Sequence, residues 1–551
     1  MPEQPQRPRF SPTAGGQSLL QLPEGPGAGD PEWIPLIHCP ADFPPELFEM
    51  AISQLIHHPE YNSTLILRSE TVSETDEAGG LPDGAPQLVG FRMSRNVHRK
   101  LLPRRPGRDA GLEQHCTLYR RGNSARLETQ VSSSEDDHVN QHDAVEAEET
   151  GSSAEPISVL VLTPILEPGT SLPYYHPAVS HLAFRCIPNS SPSDQDPSIP
   201  STSYGTLQID AIPLPGTPTD LSSRLYRTSL ALLETLHRYG WGALTNYKKR
   251  VKHDCIVPRE AYQDLYLVMR ERHKYLVDEW KESTDPLKHV FEDIGIATFL
   301  ILLWKQMYSA SDDRPANGAE PWRTWGRPSS GFLDLGCGNG LLTHILVSEG
   351  YNGHGIDVRK RVSWDHYSEA TRASLHVVAL DPTSTLTPGS FSPSSPYLTS
   401  GIFIIGNHAD ELTPWVPILS TLHDASGYLS IPCCPWTFDM KYERSKHPPY
   451  PVPVPSEEFV ESLGLGGEGS NASAYSMYRI WLSSLHARCG WVVESETLRI
   501  PSTRNWALVG RRRADGEMEQ IGRRNASEIV EEVVTRGVFK TRRPEGKAGE
   551  H

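Results

Sequence analysis

The sequence predicts an α/β fold. A Rossmann-like doubly wound domain lies on the carboxyl-terminal side, preceded by a helical segment and an irregular α+β amino-terminal region with disordered inserts. Three observations predict it. Residues 331–358 read GFLDLGCGNGLLTHILVSEGYNGHGIDV, which gives strand, glycine turn, amphipathic helix and second strand in succession. Short apolar runs at 375–380, 401–405, 427–431, 491–498 and 506–510 supply further strands of one sheet. Ahead of them, between 221 and 307, apolar residues recur at helical spacing.

Taken in order, residues 1–30 are polar and proline-rich and read as a disordered tail. Residues 31–220 form an amino-terminal region with candidate strands at 63–67 and 157–162. Inserts at 69–86, 132–156 and 189–203 interrupt it, rich in serine, proline and acids and unable to bury a core. Residues 221–320 read as helical. Leu225, Leu230, Leu232, Leu233 and Leu236 suit one helix that Gly240 would end; Tyr262, Leu265, Tyr266 and Met269 suit a second. A third, from about Val290 to Met307, is apolar on several faces and reads as a buried helix beneath the next domain. Residues 321–510 form the doubly wound domain, with 442–474 as an inserted loop past a strand's carboxyl end. Residues 511–551 read as a basic, mixed-charge tail.

The first βαβ unit carries the chemistry. Asp334 lies near the end of the first strand and Asp357 at the end of the second. Gly336, Gly338 and Gly340, with Asn339 among them, form the turn between strand and helix. Glycines permit positive φ and let a ligand approach the backbone. An acid at the second strand tip suits ribose hydroxyls. The loop is G-x-G-x-G rather than the G-x-G-x-x-G of pyrophosphate binders. Asp334 just before it repels a phosphate but tolerates an ammonium or sulfonium. The pattern therefore favours S-adenosylmethionine over NAD.

Composition bounds the rest. The chain has 551 residues, with 68 acids against 52 bases and a net charge of −16. That is unexpected for a nucleic-acid binder, but much of the excess sits at 134–150, which has no Lys or Arg. Eight cysteines are scattered without a CxxC pair, so no metal site is expected. Cys433 and Cys434, adjacent on an extended backbone, should point to opposite sides and chelate poorly. There is no secretory signal pattern and no apolar run of membrane-spanning length. A soluble intracellular protein with reduced thiols is expected. These features leave cytoplasm and nucleus open; cytoplasm is the expectation adopted.

Longer strings narrow the family. HKYLVDEWKESTDPLKHVFEDIGIATFLILLW, FLDLGCGNGLLTHILVSEGYNGHGIDVRKRVSWDHY, IIGNHADELTPWVP, IPCCPWTFDMKY and LRIPSTRNWALVG resemble the fungal tRNA (uracil-2'-O-)-methyltransferase family. The resemblance runs from about Tyr247 to Gly510, with weaker echoes back to about Trp33. It implies a class I methyltransferase domain with S-adenosyl-L-methionine as cofactor. It also implies methylation of a ribose 2'-hydroxyl on a uridine of tRNA(Ser), where the variable loop begins. The cofactor residues it implies are Asp334, Gly336, Gly338, Asn339, Gly340, Asp357 and Asp381. Asp381, ending the third strand, would meet the adenine amino group; the competing reading is an Asp-Pro turn.

The fourth strand opens into Gly406-Asn407-His408-Ala409-Asp410-Glu411. The Asn/Asp-Pro-Pro-aromatic motif of amino methyltransferases is missing there. His408, Asp410 and Glu411 are the catalytic candidates, able to take a hydroxyl proton or orient a base. Asp410 and Glu411 would equally well cap a helix. Trp436 could stack a base or belong to the core. The Lys-Asp-Lys-Glu tetrad of many 2'-O-methyltransferases is not identifiable, and Lys441 is the nearest lysine. Basic clusters could form one tRNA stripe: Arg92, Arg95, Arg99, Lys100, Arg104, Arg105 and Arg108; Arg120 and Arg121; 248–252; 359–361; Arg499 and Arg504. Alternatives are a methyltransferase of another RNA or protein substrate, and a non-catalytic RNA-binding protein with a retained cofactor fold.

Overall fold

A computed structural model describes residues 7–17, 20–23, 32–121, 157–189, 203–247, 252–309, 320–384, 395–438, 440–442, 457–466, 473–537 and 539. The chain divides into two compact units, 1–248 and 249–551. The acidic stretch 134–150, the basic triplet 248–250 and most of the insert at 189–203 fall outside the described residues.

The first unit contains β1 (Thr13–Ala14), β2 (Ile34–Ala41), α1 (Phe48–His57), β3 (Ile66–Asp76), β4 (Phe91–Pro103), β5 (Leu112–Arg121), β6 (Ser158–Ile165), β7 (Val179–Pro188), β8 (Gly205–Pro213) and α2 (Arg224–Leu244). Among the described residues, these strands form one antiparallel sheet ordered β1-β2-β8-β7-β6-β5-β4-β3. Phe43, Phe48, Ile52, Leu207, Ile209, Leu233 and Leu236 fill the core between sheet and helices. This region is regular, not irregular as the sequence suggests. The stretch 69–86 resembles a low-complexity insert because most of β3 is an exposed edge strand, whose polar residues face solvent. Part of the expected tail is ordered too: β1 pairs with β2, and Leu20 is buried. Gly240 does not end α2. A Cβ there would lie 2.0 Å from the Phe43 ring, so the glycine permits close helix packing.

The second unit contains α3 (Arg259–His273), α4 (Pro286–Met307), β9 (Phe332–Leu335), α5 (Leu341–Ser348), β10 (Gly353–Asp357), α6 (Glu369–Ser374), β11 (Leu375–Val377), β12 (Phe403–Asn407), α7 (Trp415–Leu422), β13 (Gly427–Ile431), α8 (Glu457–Ser462), α9 (Ala474–Arg488), β14 (Trp491–Thr497), β15 (Trp506–Arg513) and α10 (Glu517–Arg536). Its sheet runs β11-β10-β9-β12-β13-β15-β14. The first five strands are parallel, and β15 runs antiparallel to both neighbours. The order reverses between β9 and β12, which opens a crevice at the carboxyl ends of those strands. One face packs on α3, α4 and α5 around Trp304, Phe332 and Phe403; the other packs on α7, α9 and α10 around Trp415, Tyr428 and Trp481.

Two boundaries differ from the sequence reading. The 221–320 segment is split: α2 buries Leu225, Leu233 and Leu236 in the first unit, while α3 and α4 pack in the second. The stretch from 511 is not merely a tail, because β15 extends to Arg513 and α10 follows. Ala526, Ile529, Val530 and Val533 make an i, i+3, i+4, i+7 stripe on α10 that its many charges conceal.

The basic clusters are largely engaged within each unit. Arg99 is 4% exposed, donates to Gln114 Oε1, and holds the Leu55 and Ile56 carbonyls at the end of α1. It cannot also hold a phosphate. Arg95 pairs with Glu74, Arg120 with Glu49, Lys360 with Asp365, and Arg499 with Asp254. Arg99→Ala would strand buried acceptors, a cost of about 3 kcal/mol. Thermal unfolding should show a markedly less stable protein; an unchanged melting temperature would contradict a structural role for Arg99.

Candidate active site

The turn after β9 is built from backbone conformations that glycine favours. Gly336, Gly338 and Gly340 have φ of +68°, +55° and +74°. Gly340 is also hemmed in, since a Cβ would meet Leu375 at 2.9 Å and the Trp364 indole nitrogen at 3.1 Å. Asp357 Oδ2 accepts from the Gly338 amide at 2.9 Å, and its Oδ1 accepts from the Arg359 amide at 3.2 Å. The Trp364 indole N–H donates to the Gly338 carbonyl at 3.0 Å. The tips of β9 and β10 are thereby fixed together.

A cavity of about 420 Å³ opens at this point. Asp334, Gly336, Gly338, Asn339, Asp357, His408, Asp410 and Glu411 line it. Gly340 supports the turn from behind, and Asp381 is not among the lining residues. Asp381 Oδ1 accepts from the amide and hydroxyl of Thr383, at 2.9 and 2.6 Å, in its own turn. Val378, Leu380 and Leu412 give the cavity an apolar part. Phe539 also lines it, packed edge-on against Trp415 with ring centroids 5.4 Å apart.

Three lining residues come from α4: His289, Glu292 and Asp293. The apolar pattern marks this helix only as a buried support, and these three side chains escape that reading. A signal is present all the same, because Glu292 and Asp293 are the only charged residues between His289 and Lys305 in an otherwise apolar helix.

The acids differ in state. Asp334 is 1% exposed; its Oδ2 accepts from the Thr343 hydroxyl at 3.0 Å, while its Oδ1 is buried without a partner. Burial, helped by the Asp357 charge, pushes Asp334 up to about 7. Burial, with the charges of Glu292 and Asp334, raises Asp293 well above the carboxylate range. Burial also works to raise Glu292, but hydrogen bonds from His408 and Ser502 outweigh it and hold the carboxyl below its usual value.

The loop leaving β12 is strained. His408 and Asp410 are non-glycine residues with φ of +54° and +43°. His408 Nε2 lies 3.2 Å from Glu292 Oε1, and its Nδ1 is buried without a partner. Asp410 Oδ1 accepts from Cys433 Sγ at 3.3 Å. Asp410, Cys433 and Cys434 offer ligand atoms all within 4.8 Å of one another. The expected divergence of the two thiols fails because β13 ends at Ile431, so strand alternation does not apply beyond it. Trp436 is half-buried, with Lys441 Nζ 5.9 Å from its ring centroid.

The residues fit S-adenosylmethionine. The unpartnered Asp334 Oδ1 and Asn407 Oδ1 suit a cation bearing N–H groups. The left-handed turn and Asp357 suit a nucleoside.

Comparison with known proteins agrees. Residues 10–250 match the family model described as TRM44-like, N-terminal bet v1-like domain, and residues 256–382 match one described as Predicted AdoMet-dependent methyltransferase. The chain is similar to proteins named tRNA (uracil-O(2)-)-methyltransferase. It is 33% identical to that of Neurospora crassa, covering 93% of this chain and 94% of the relative. It is 32% identical to that of Schizosaccharomyces pombe, covering 87% and 85%. It is 29% identical to that of Saccharomyces cerevisiae, covering 87% of each. No solved structure matches.

Proton linkage follows from Asp334. In the ligand-free protein it stays protonated up to about pH 7. A cationic ligand favours the carboxylate, so below that pH binding releases a proton. Cofactor affinity should therefore rise with pH, by at most about tenfold per unit, and level off above about 7. Calorimetric titrations at several pH values check this, and Asp334→Asn should flatten the slope. An equal slope in the variant would remove Asp334 from the site. Asp357→Ala should weaken binding about ten- to a hundredfold.

Proposed function

The chain belongs to the tRNA (uracil-O(2)-)-methyltransferase family, and on that premise we propose that it methylates the ribose 2'-hydroxyl of a uridine in tRNA with S-adenosylmethionine as donor. The observation that carries this reading is the glycine turn latched by Asp357 beside the buried, unpartnered oxygen of Asp334. When bound, the cofactor supplies a methyl group on a positively charged sulfur.

The chain's residues divide the remaining work. Asp334, with Asn407 beside it, would hold the ammonium. Gly336, Gly338 and Asn339 would bring backbone to the cofactor, with Gly340 supporting the turn behind them, and Asp357 would accept from ribose hydroxyls. Val378, Leu380, Leu412 and Phe539 would cover the base. Asp381 would act only through the shape of its turn. His408, Asp410 and Glu411, on the loop after β12, line the same cavity and would supply the proton acceptor. The enzyme aligns the hydroxyl with the methyl group and removes one proton.

The finer assignments are tRNA(Ser) as substrate, the uridine opening its variable loop as target, and the cytoplasm as compartment. The long family strings support the first two. Among the described residues no helix is long and apolar enough to cross a membrane. For tRNA contact, exposed Lys100, Arg104 and Arg105 replace the buried Arg99 in the amino-terminal patch.

Nucleoside mass spectrometry after incubating the protein with donor and tRNA(Ser) transcript tests the activity. One 2'-O-methyluridine at the start of the variable loop is expected; base methylation or methylated protein would overturn the reading. Changing Lys100, Arg104 and Arg105 together to Ala should weaken tRNA binding and flatten its salt dependence, by about one unit of log-log slope for each phosphate no longer neutralised. Cofactor affinity should not change. An unchanged salt slope would place the tRNA elsewhere, with the segment around Arg504 the next candidate.

A further inference from the structure

The loop after β12 and the buried helix α4 meet where His408 Nε2 lies 3.2 Å from Glu292 Oε1. An ionised carboxylate only accepts hydrogen bonds, so the proton of a neutral imidazole sits on Nε2 and Nδ1 carries the lone pair. That Nδ1 is buried and has no partner, while His408 lines the cavity. Glu292 is itself only 4% exposed, and Ser502 also donates to it. Its carboxylate thus has a second donor besides the imidazole.

We propose that Glu292 is a positioning residue that fixes the tautomer and ring orientation of His408, and that His408 Nδ1 takes the proton of the ribose 2'-hydroxyl. The inference rests on the methyltransferase reading above and goes further by assigning the proton acceptor. The 2'-oxygen lone pair forms the bond to the methyl carbon, the carbon–sulfur pair passes to sulfur, and the hydroxyl proton passes to His408 Nδ1, from which water later removes it.

The other candidates are otherwise engaged. Asp410 Oδ1 accepts from the Cys433 thiol. Asp334 and Asp293 are pushed toward their neutral forms by burial and by neighbouring carboxylates. Glu411 also lines the cavity, from a short 3-10 turn, Asp410–Leu412, but it is His408 that the buried Glu292 carboxylate orients. His237 and His273 also set Nε2 against a carboxylate and leave Nδ1 bare, but neither of them lines this cavity. His408 has one bare nitrogen and a φ of +54°. Such strain in a non-glycine residue is typical of functional loops.

The test is single-turnover methylation of tRNA by the full chain, with calorimetry of S-adenosylmethionine binding on the same preparations. His408→Ala should slow methylation about a hundredfold or more, and Glu292→Gln about tenfold, each keeping cofactor affinity within about twofold. Because Glu292 acts through His408, the double variant should be no slower than His408→Ala alone. Added imidazole should restore part of the rate to His408→Ala. Additive losses, an unchanged rate in Glu292→Gln, or lost cofactor binding in Glu292→Gln would each overturn the positioning role. Should Glu292→Gln fail to fold, Glu292→Asp takes its place in the same cycle, and retained cofactor binding certifies its fold. Failure of imidazole to restore any rate would overturn His408 as acceptor. If the unaltered protein leaves tRNA ribose unmethylated, the functional reading fails instead, which these outcomes keep distinct.

Discussion

One hydrogen bond, from the Gly338 amide to Asp357 Oδ2 at 2.9 Å, closes the glycine turn that borders the cavity. It adds to the bonds from the Gly336 and Cys337 amides to the Ile356 carbonyl, which already join the tips of the two parallel strands. The turn it closes needs left-handed backbone at positions 336, 338 and 340. Glycine supplies those conformations without strain, and the Trp364 indole on the Gly338 carbonyl locks the same loop from outside. With the turn fixed, α5 starts directly under the crevice, and Thr343 on its first turn reaches Asp334. Asp334 and Asp357 are thus held by the same short segment.

Electrostatics then does the selecting. Asp293, Asp334, Asp357, Asp410 and Glu411 all line one cavity together with Glu292. Six carboxyl groups cannot all ionise in a space that small, so burial forces some of them neutral. A cation beside Asp334 favours the charged form of that acid. The same arrangement disfavours a pyrophosphate, although Arg359 and Arg361 stand at the margin. Within the acidic chain, many basic residues that look available for RNA are neutralised by partners in their own unit, as Arg95 is by Glu74 and Arg120 by Glu49.

Much of this is legible in the residues because local physics dictates it. Strand–glycine–helix spacing and acids at strand tips are short-range patterns, and they lead directly to Asp334, the glycines and Asp357. His408 is reachable because it follows a strand at the catalytic edge. Glu292 and Asp293 are not, since they lie on a helix that precedes the first strand of the sheet and reaches the cavity only through the fold. Their isolation in an apolar helix is the one hint. Phe539 is hidden for another reason: it lies three residues past the end of α10, in a stretch whose composition reads as a charged tail. In the first unit, composition misleads in the opposite direction. An exposed edge strand and a low-complexity insert share the same polar residues, and only pairing with β4 separates them. Arg99 shows the limit of counting charges, for a buried arginine and a phosphate-binding one look alike in sequence.

The central claim is that a buried acid at the end of β9 and a latched glycine turn hold the methyl donor. The most direct measurement is a crystal structure of the protein with S-adenosylmethionine or its demethylated product. The account predicts the amino group within hydrogen-bonding distance of Asp334 Oδ1, the ribose hydroxyls on Asp357, and the reacting end facing His408. A cofactor bound with Asp334 Oδ1 still unpartnered, or with its ribose away from Asp357, would contradict it.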